Sequence, residues 1–313
     1  MTDNVTTLRA MVRGAYDLQQ LRMQSGLRLC ADFRAKLGPV EDEDEDVAEE
    51  KKERAIVLIK AEHRRLTDGI TSEKGRINMK KLDFTGSTII GSAAEYSLID
   101  SYVALERQEA KQFRDLTGTL EEIPIYAGYL HDVVGVGPAM AAVLISYLDP
   151  RKARHASSFN KYAGLDVASG SGRSRREEHL VEREYVDRNG DIRTRKGVTY
   201  NPFLKTKLMG VLGPSFLRSG SPWREVYDNY KHRIVSDPAR IKVTVADWKK
   251  LHKAGDVDLR MYWTPGRIHT ASTRYMVKMF LQELWVKWRE LEGLPVTLPY
   301  AEAKLGRPPH KAA

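Results

Sequence analysis

Residues 132–174 read DVVGVGPAMAAVLISYLDPRKARHASSFNKYAGLDVASGSGRS, and this stretch decides the fold. Gly135-Val136-Gly137-Pro138 is a glycine-pinched turn that opens a short apolar helix from Ala139 to Leu148. Pro138 suits the first helical turn, where no amide hydrogen is needed, and Gly135 and Gly137 let backbone N–H groups approach a phosphate. Alternatively, the glycines only permit tight packing ahead of the helix. Asp149-Pro150 stops the helix, and Arg151, Lys152, Arg154 and His155 lead into a second short helix around Ser157 to Tyr162 that ends at Gly164. Beyond Leu165 the chain becomes a Gly/Ser/Arg loop.

Upstream, residues 5 to 37 read as one long helix with apolar positions at Leu8, Met11, Ala15, Leu18, Leu29 and Phe33, interrupted by Arg22 and closed by Gly38-Pro39. Residues 41–50, EDEDEDVAEE, carry eight acids in ten and are expected to form a solvated linker over 38–50. That run is also acidic enough to shield a basic groove. Helical periodicity resumes from Glu50 to Thr67, with Ile56, Ile59, His63 and Leu66 on one face. A Gly/Ser/Thr-rich segment from Gly69 to Gly91 then leads to a helix from Ser92 to Leu116 with the stripe Leu98, Tyr102, Leu105, Phe113 and Leu116. Long amphipathic helices flanking a polar connector predict a helical hairpin or coiled coil, with an intramolecular or dimer seam. Pro124 and Gly128 break the pattern.

Downstream, His179–Val186 and Ile192–Tyr200 flank Asp187-Arg188-Asn189-Gly190, a hairpin signal over about 179–200. Arg183, Arg188, Arg193, Arg195 and Lys196 make it a basic ribbon. Helices are expected from Asn201-Pro202 to about Leu217, from Ser221-Pro222 to about Val235, and from Arg267 to Glu292, with a less regular segment over Asp237–Tyr262. The tail, 294–313, reads as flexible. The fold class is therefore mostly α: a long-helix region over 1–120, a helical nucleic-acid-binding domain with a β-hairpin insertion over 121–293, and the tail.

Charge is divided unevenly. Residues 1–150 hold 19 Lys/Arg against 25 Asp/Glu, whereas 151–313 hold 32 against 17, so the polyanion signal lies in the second half. Aromatics interleave with these cations (Tyr162, Tyr185, Tyr200, Trp223, Tyr227, Tyr230, Trp248, Tyr262, Trp263), which suits bases stacked on rings while Arg and Lys hold phosphates. Single tyrosines and tryptophans also serve as ordinary core.

No run of 18 apolar residues is present, and the first twenty residues lack the apolar centre of a secretory signal, so a cytoplasmic protein is expected. The single Cys30 rules out an intramolecular disulfide and a cysteine-based zinc site. No HExxH, phosphate-loop motif or convergent carboxylate set is legible, so neither metal nor cofactor is assigned. Ser171, between Ser169 and Ser174 in the arginine-rich loop, is a weak candidate for a serine nucleophile, because no activating base is apparent.

With these residues in view, Ile123 to Gly172 resembles the C-terminal part of the RNA-bridged insertion-sequence transposases. The likeness rests on Gly135-Val136-Gly137-Pro138, Asp149, Phe159, Tyr162-Ala163-Gly164-Leu165 and Ser171-Gly172, spread over about fifty residues. Ser171 falls near that family's catalytic serine, but long helices and an acidic linker stand where its RuvC-like domain would be. Asp166-Val167 replaces the proline that follows its Gly-Leu step.

The whole chain is similar to the Tas proteins of tandem interspaced guide RNA systems (TIGR-Tas), relatives of the Nop-domain proteins of box C/D ribonucleoproteins. Leu8–Phe33, Ser92–Leu116 and Val133–Leu165 match their layout of coiled coil followed by a Nop-like RNA-binding domain, in the nuclease-free form. The resemblance implies a prokaryotic or phage-encoded homodimer that binds guide RNA and, through it, target DNA. Contacts to nucleic acid would come from Gly135, Gly137, Lys152, Arg154, His155, Arg173, Arg175 and Arg176, with Arg183, Arg188, Arg193, Arg195 and Lys196 of the ribbon. The alternatives are a transposase or recombinase using Ser171, and an unguided helix-hairpin-helix DNA-binding protein.

Overall fold

Helices carry most of the chain. The structure, a computed structural model, describes residues 2–33, 36, 45–68, 70, 77–168, 170–255 and 258–297. It divides into two compact units, Ala10–Leu116 and a second made of Met1–Arg9 with Thr117–Ala313. The first nine residues thus belong with the C-terminal unit rather than with the long-helix region.

The smaller unit is built from α1 (Thr2–Asp32), α2 (Glu45–Thr67) and α3 (Ala93–Glu121). Leu29, Phe33, Ile59, Leu66, Ile90, Tyr96, Ile99, Tyr102 and Val103 form its core. Arg22, which interrupts the apolar seam of α1, is matched across the unit: it pairs with Glu109 of α3, and Gln19 donates to the same carboxylate at 3.1 Å. Two polar interruptions therefore meet as one hydrogen-bonded layer, leaving neither alone in an apolar seam. His63 is likewise buried, held 3.0 Å from Asp100 and stacked on Tyr96.

Two expectations change in this unit. The acidic stretch is not a linker throughout, because α2 begins at Glu45, and acids suit the positive end of a helix dipole. Residues 37–44, with Gly38-Pro39, lie outside the described residues. On α3 Tyr102 and Leu116 are buried as predicted and Leu105 and Phe113 half-buried, but Leu98 is exposed, and Tyr96, Ile99 and Val103 join the core instead.

The larger unit is centred on α11 (Pro265–Leu291), preceded in chain order by α4 (Pro124–Gly128), α5 (Pro138–Tyr147), α6 (Ala156–Tyr162), α7 (Pro202–Lys207), α8 (Gly213–Arg218), α9 (Trp223–Ser236) and α10 (Val245–Ala254). The opening stretch lies at its heart. Gly137 is the N-cap of α5 and Pro138 its first residue, and Met140 through Ser146 are all buried. A helix apolar on every side is a core helix. Phe216, Trp223 and Phe280 meet edge-on or tilted at 5.2–6.1 Å between ring centroids and join α8, α9 and α11.

α11 also fastens the Pro150–Ala153 turn, through Trp285 Nε1 to the Ala153 carbonyl at 2.8 Å and Arg289 Nη1 to the Pro150 carbonyl at 2.6 Å. A π-helical turn over Leu208–Leu212 joins α7 to α8 just ahead of Pro214, which has no N–H to donate to the preceding turn. The long-helix pattern breaks as predicted, α3 ending at Glu121, and Pro124 and Gly128 bound the short α4, with the proline at its first position. α10 lies in the segment read as irregular. At the start of the tail Leu294 N–H donates to Arg289 O and Arg289 Nε to Pro295 O; residues 298–313 lie outside the described residues.

Strands are short and paired two by two. Val167–Ala168 (β1) and Ser171–Gly172 (β2) turn back on each other within the Gly/Ser/Arg loop. β3 (Val181–Val186) and β4 (Ile192–Gly197) form the predicted hairpin, narrower than 179–200 because His179 lies in a 3₁₀ turn. β5 (Ile241–Lys242) and β6 (Tyr262–Trp263) make a minimal parallel pair.

Candidate nucleic-acid interface

The β3–β4 ribbon is held at its tip by Asp187. The Asp187 carboxylate accepts from the Asn189 and Asp191 amides at 2.8 and 3.1 Å and pairs with Arg193 at 2.7 Å, while Gly190 takes the left-handed φ of +89° that the turn requires. Opposite residues share a face and neighbours alternate. The register pairs Arg183 with Arg195 and Tyr185 with Arg193 on one face, and Glu182 with Lys196, Glu184 with Thr194 and Val186 with Ile192 on the other.

Alternation therefore sorts charge by sign. One face carries Arg183, Arg195 and Tyr185, with Arg193 paired to Asp187 of the turn; the other carries Glu182 and Glu184 with Lys196. All residues of both strands except Gly197 are exposed, and the Arg195 guanidinium lies 5.1 Å from the Tyr185 ring centroid. Such a face offers phosphate contacts around a ring on which a base can stack. Lys196 is spent on Glu177, and Arg188 sits exposed at the turn.

The other predicted contacts fall into two groups. Lys152, Arg154, His155, Arg175 and Arg176 are exposed, Lys152 no nearer than 3.9 Å to Asp149 and Arg176 no nearer than 3.9 Å to Glu178. Arg173 faces inward instead: it forks onto Asp166 through three contacts of 2.7–3.0 Å and reaches Thr199 Oγ1 at 2.9 Å, which holds its pKa above the usual guanidinium value. Gly135 is explained by packing, since a Cβ there would lie 2.7 Å from the Phe216 ring and its φ is +97°. Gly137 faces open space.

Ser171 Oγ lies 3.4 Å from Nε2 of the buried His179. The Ser174 amide donates to His179 Nδ1 at 3.0 Å, so the ring proton sits on Nε2, which donates to the Ala168 carbonyl at 3.0 Å. A protonated Nε2 cannot remove the Ser171 proton. In this tautomer His179 pins the loop and does not act as a base. Among the described residues no three His, Cys, Asp or Glu side chains come together as a metal site would require, and no helix is long and apolar enough to cross a membrane.

Of the aromatics proposed for stacking, Tyr200, Trp223 and Tyr227 are buried, whereas Tyr162 and Tyr185 are exposed. Tyr230 stacks on Tyr275 at 4.1 Å, with the Arg233 guanidinium 4.7 Å from the Tyr230 ring, and Arg240 and Arg267 both lie against Trp263.

Sequence reasoning missed a cation group on α7 and α11: Lys205, Arg274 and Lys278. The legible signal was a pair of cations four residues apart, each directly after a core residue of α11 (Thr273 and Val277). Comparison with known proteins adds no identity to these sites: no family model, curated protein or solved structure matches the chain.

Proposed function

We propose that the chain binds a guide RNA and presents it for pairing with a DNA target, as a ribonucleoprotein without a nuclease of its own. The observation that carries this reading is the arginine face of the ribbon, where Arg183 and Arg195 flank an exposed tyrosine and the neighbouring carboxylate, Asp187, is engaged by Arg193 and the turn amides. When base pairing reads sequence, the protein needs only to hold backbone and duplex shape, and such a face does that without base-specific side chains. Exposed Lys152, Arg154, Arg175 and Arg176 extend the basic surface. Exposed Leu21, Leu27, Val57 and Leu98 on the long helices are the surface assigned to a second copy, and sedimentation of the purified chain tests that part.

Purification of the chain from its host, followed by RNase or DNase treatment and sequencing of what is retained, tests the main reading. Short RNA of recurring sequence is expected, and DNA binding that is lost with RNase. DNA binding indifferent to RNase, with no retained RNA, overturns it in favour of an unguided DNA-binding protein.

A further inference from the structure

Three cations converge beside the β1–β2 turn around a carboxylate that is already committed. A Cβ built on Gly172 would fall on the Arg274 guanidinium, so that side chain lies flat against the backbone of β2. Lys205 Nζ donates to the carbonyl of the adjacent Arg173 and lies 4.6 Å from the Tyr200 ring centroid. Lys278 follows Arg274 by one helical turn on α11 and interacts electrostatically with it and with Asp166. Asp166 is the one carboxylate these three cations feel, and Arg173 occupies both of its oxygens.

The balance of charge is therefore unfavourable as it stands. Burial pushes the Arg274, Lys278 and Lys205 pKa values down. The lysines can relieve this by losing a proton, but a guanidinium cannot. Arg274 remains charged and partly covered, and its Nε is shut off from solvent without a partner. A charge left in this way calls for an anion.

From this geometry we infer that Lys205, Arg274 and Lys278 form a binding site for one phosphate group, filled by a phosphodiester of the nucleic-acid strand that also lies on the ribbon. The identification of the strand rests on the function proposed above; the anion site itself does not. Arg274 and Lys278 are only partly covered, so a backbone phosphate reaches them from solvent. Arg274 supplies planar N–H donors and the lysines point charges, the usual division of labour in phosphate capture.

Gly172 provides a test that leaves the cations in place. Its φ is not in the left-handed region, so alanine is permitted by the backbone, and the atoms nearest the added methyl all belong to the flexible end of Arg274. Anisotropy of a short fluorescein-labelled single-stranded RNA of mixed sequence, titrated with KCl, is measured for the full chain and for G172A, K278Q, K278R and R183Q/R195Q. Near physiological salt K278Q is expected to bind roughly fourfold more weakly, with a salt slope shallower by about 0.7, and K278R to bind as the parent does. G172A is expected to lose affinity without a lower melting temperature. In parallel, inorganic phosphate should raise the melting temperature of the parent above that in chloride of equal ionic strength, and K278Q should abolish the difference.

If R183Q/R195Q weakens RNA binding while K278Q and G172A match the parent in affinity and slope, the site is refuted and the proposed function stands. If the parent binds no RNA, the function is refuted. A phosphate-dependent shift lost in K278Q then still supports an anion site, and its absence removes that too.

Discussion

The ribbon β3–β4 and the helix α11 use arginine and aromatic residues in opposite ways. On the ribbon Arg195 and Tyr185 are exposed and lie against each other; on α11 Arg289 and Trp285 are buried, and their N–H groups close on the carbonyls of Pro150 and Ala153. The same residue types thus serve recognition in one place and folding in the other, and what separates them is whether the donors already have protein acceptors. The difference is open to experiment, because substitutions in the two regions should move different observables.

The largest effect is expected on α11. Trp285→Ala removes a fully buried indole and the hydrogen bond to Ala153, and should lower stability by about 3–5 kcal/mol in urea unfolding. The combined ribbon change Arg183→Gln, Arg195→Gln should leave the unfolding free energy within about 0.5 kcal/mol of the parent. It should weaken single-stranded RNA binding roughly 15-fold near physiological salt, from about 0.7 counterions released per lost phosphate contact. Parallel losses of stability and affinity in both variants would erase the distinction.

What could be read in the sequence follows the same division. The apolar run after Pro138, Asn-Gly between extended segments and the capped start at Asn201-Pro202 are local signals, and α5, the ribbon and α7 lie where they were expected. Asn201 Oδ1 does accept from the Leu204 amide at 3.0 Å. The charge sorting of the ribbon needed only its register, which Asn189-Gly190 already limits. The site around Arg274 was not legible, because Gly172, Lys205 and Lys278 meet only through tertiary packing. Leu98 misled for a related reason: it adjoins Ile99, either of the two can share a face with Tyr102, and only contact with Ile59 and its neighbours in the core selects Ile99. Gly135 was legible as special but not as to why, since the reason is the ring of Phe216, eighty-one residues later.

Ionisation should separate the regions again. Desolvation, reinforced by Arg274 and Arg173 and opposed by Asp166, pushes the Lys205 pKa down to about 8, and burial lowers Lys207 and Lys278 in the same direction. A lysine whose folded pKa lies below its unfolded value binds fewer protons when folded, so between about pH 8 and the ordinary lysine range stability rises with pH. RNA affinity should fall over that window as the cation is lost. The ribbon guanidiniums do not titrate there. Lys205→Met should flatten both trends, seen as the difference from the parent in urea unfolding and anisotropy at pH 7.5 and 9.5. A parent whose stability is flat across that interval would contradict the assignment.

The smallest effect concerns one pair. Arg183 and Arg195 stand directly opposite each other, a like-charge arrangement that costs a few tenths of a kcal/mol in a two-stranded ribbon already of marginal stability on its own. Arg183→Gln should therefore slow hydrogen exchange of the ribbon amides, a local gain of about 0.2–1 kcal/mol. In the same protein it should weaken RNA binding about fourfold, because one phosphate contact is gone. Gain and loss from a single substitution would mean that the ribbon keeps an unfavourable pair for the sake of what it binds. A gain in protection with no loss of affinity would leave the arginine face without a reason in recognition.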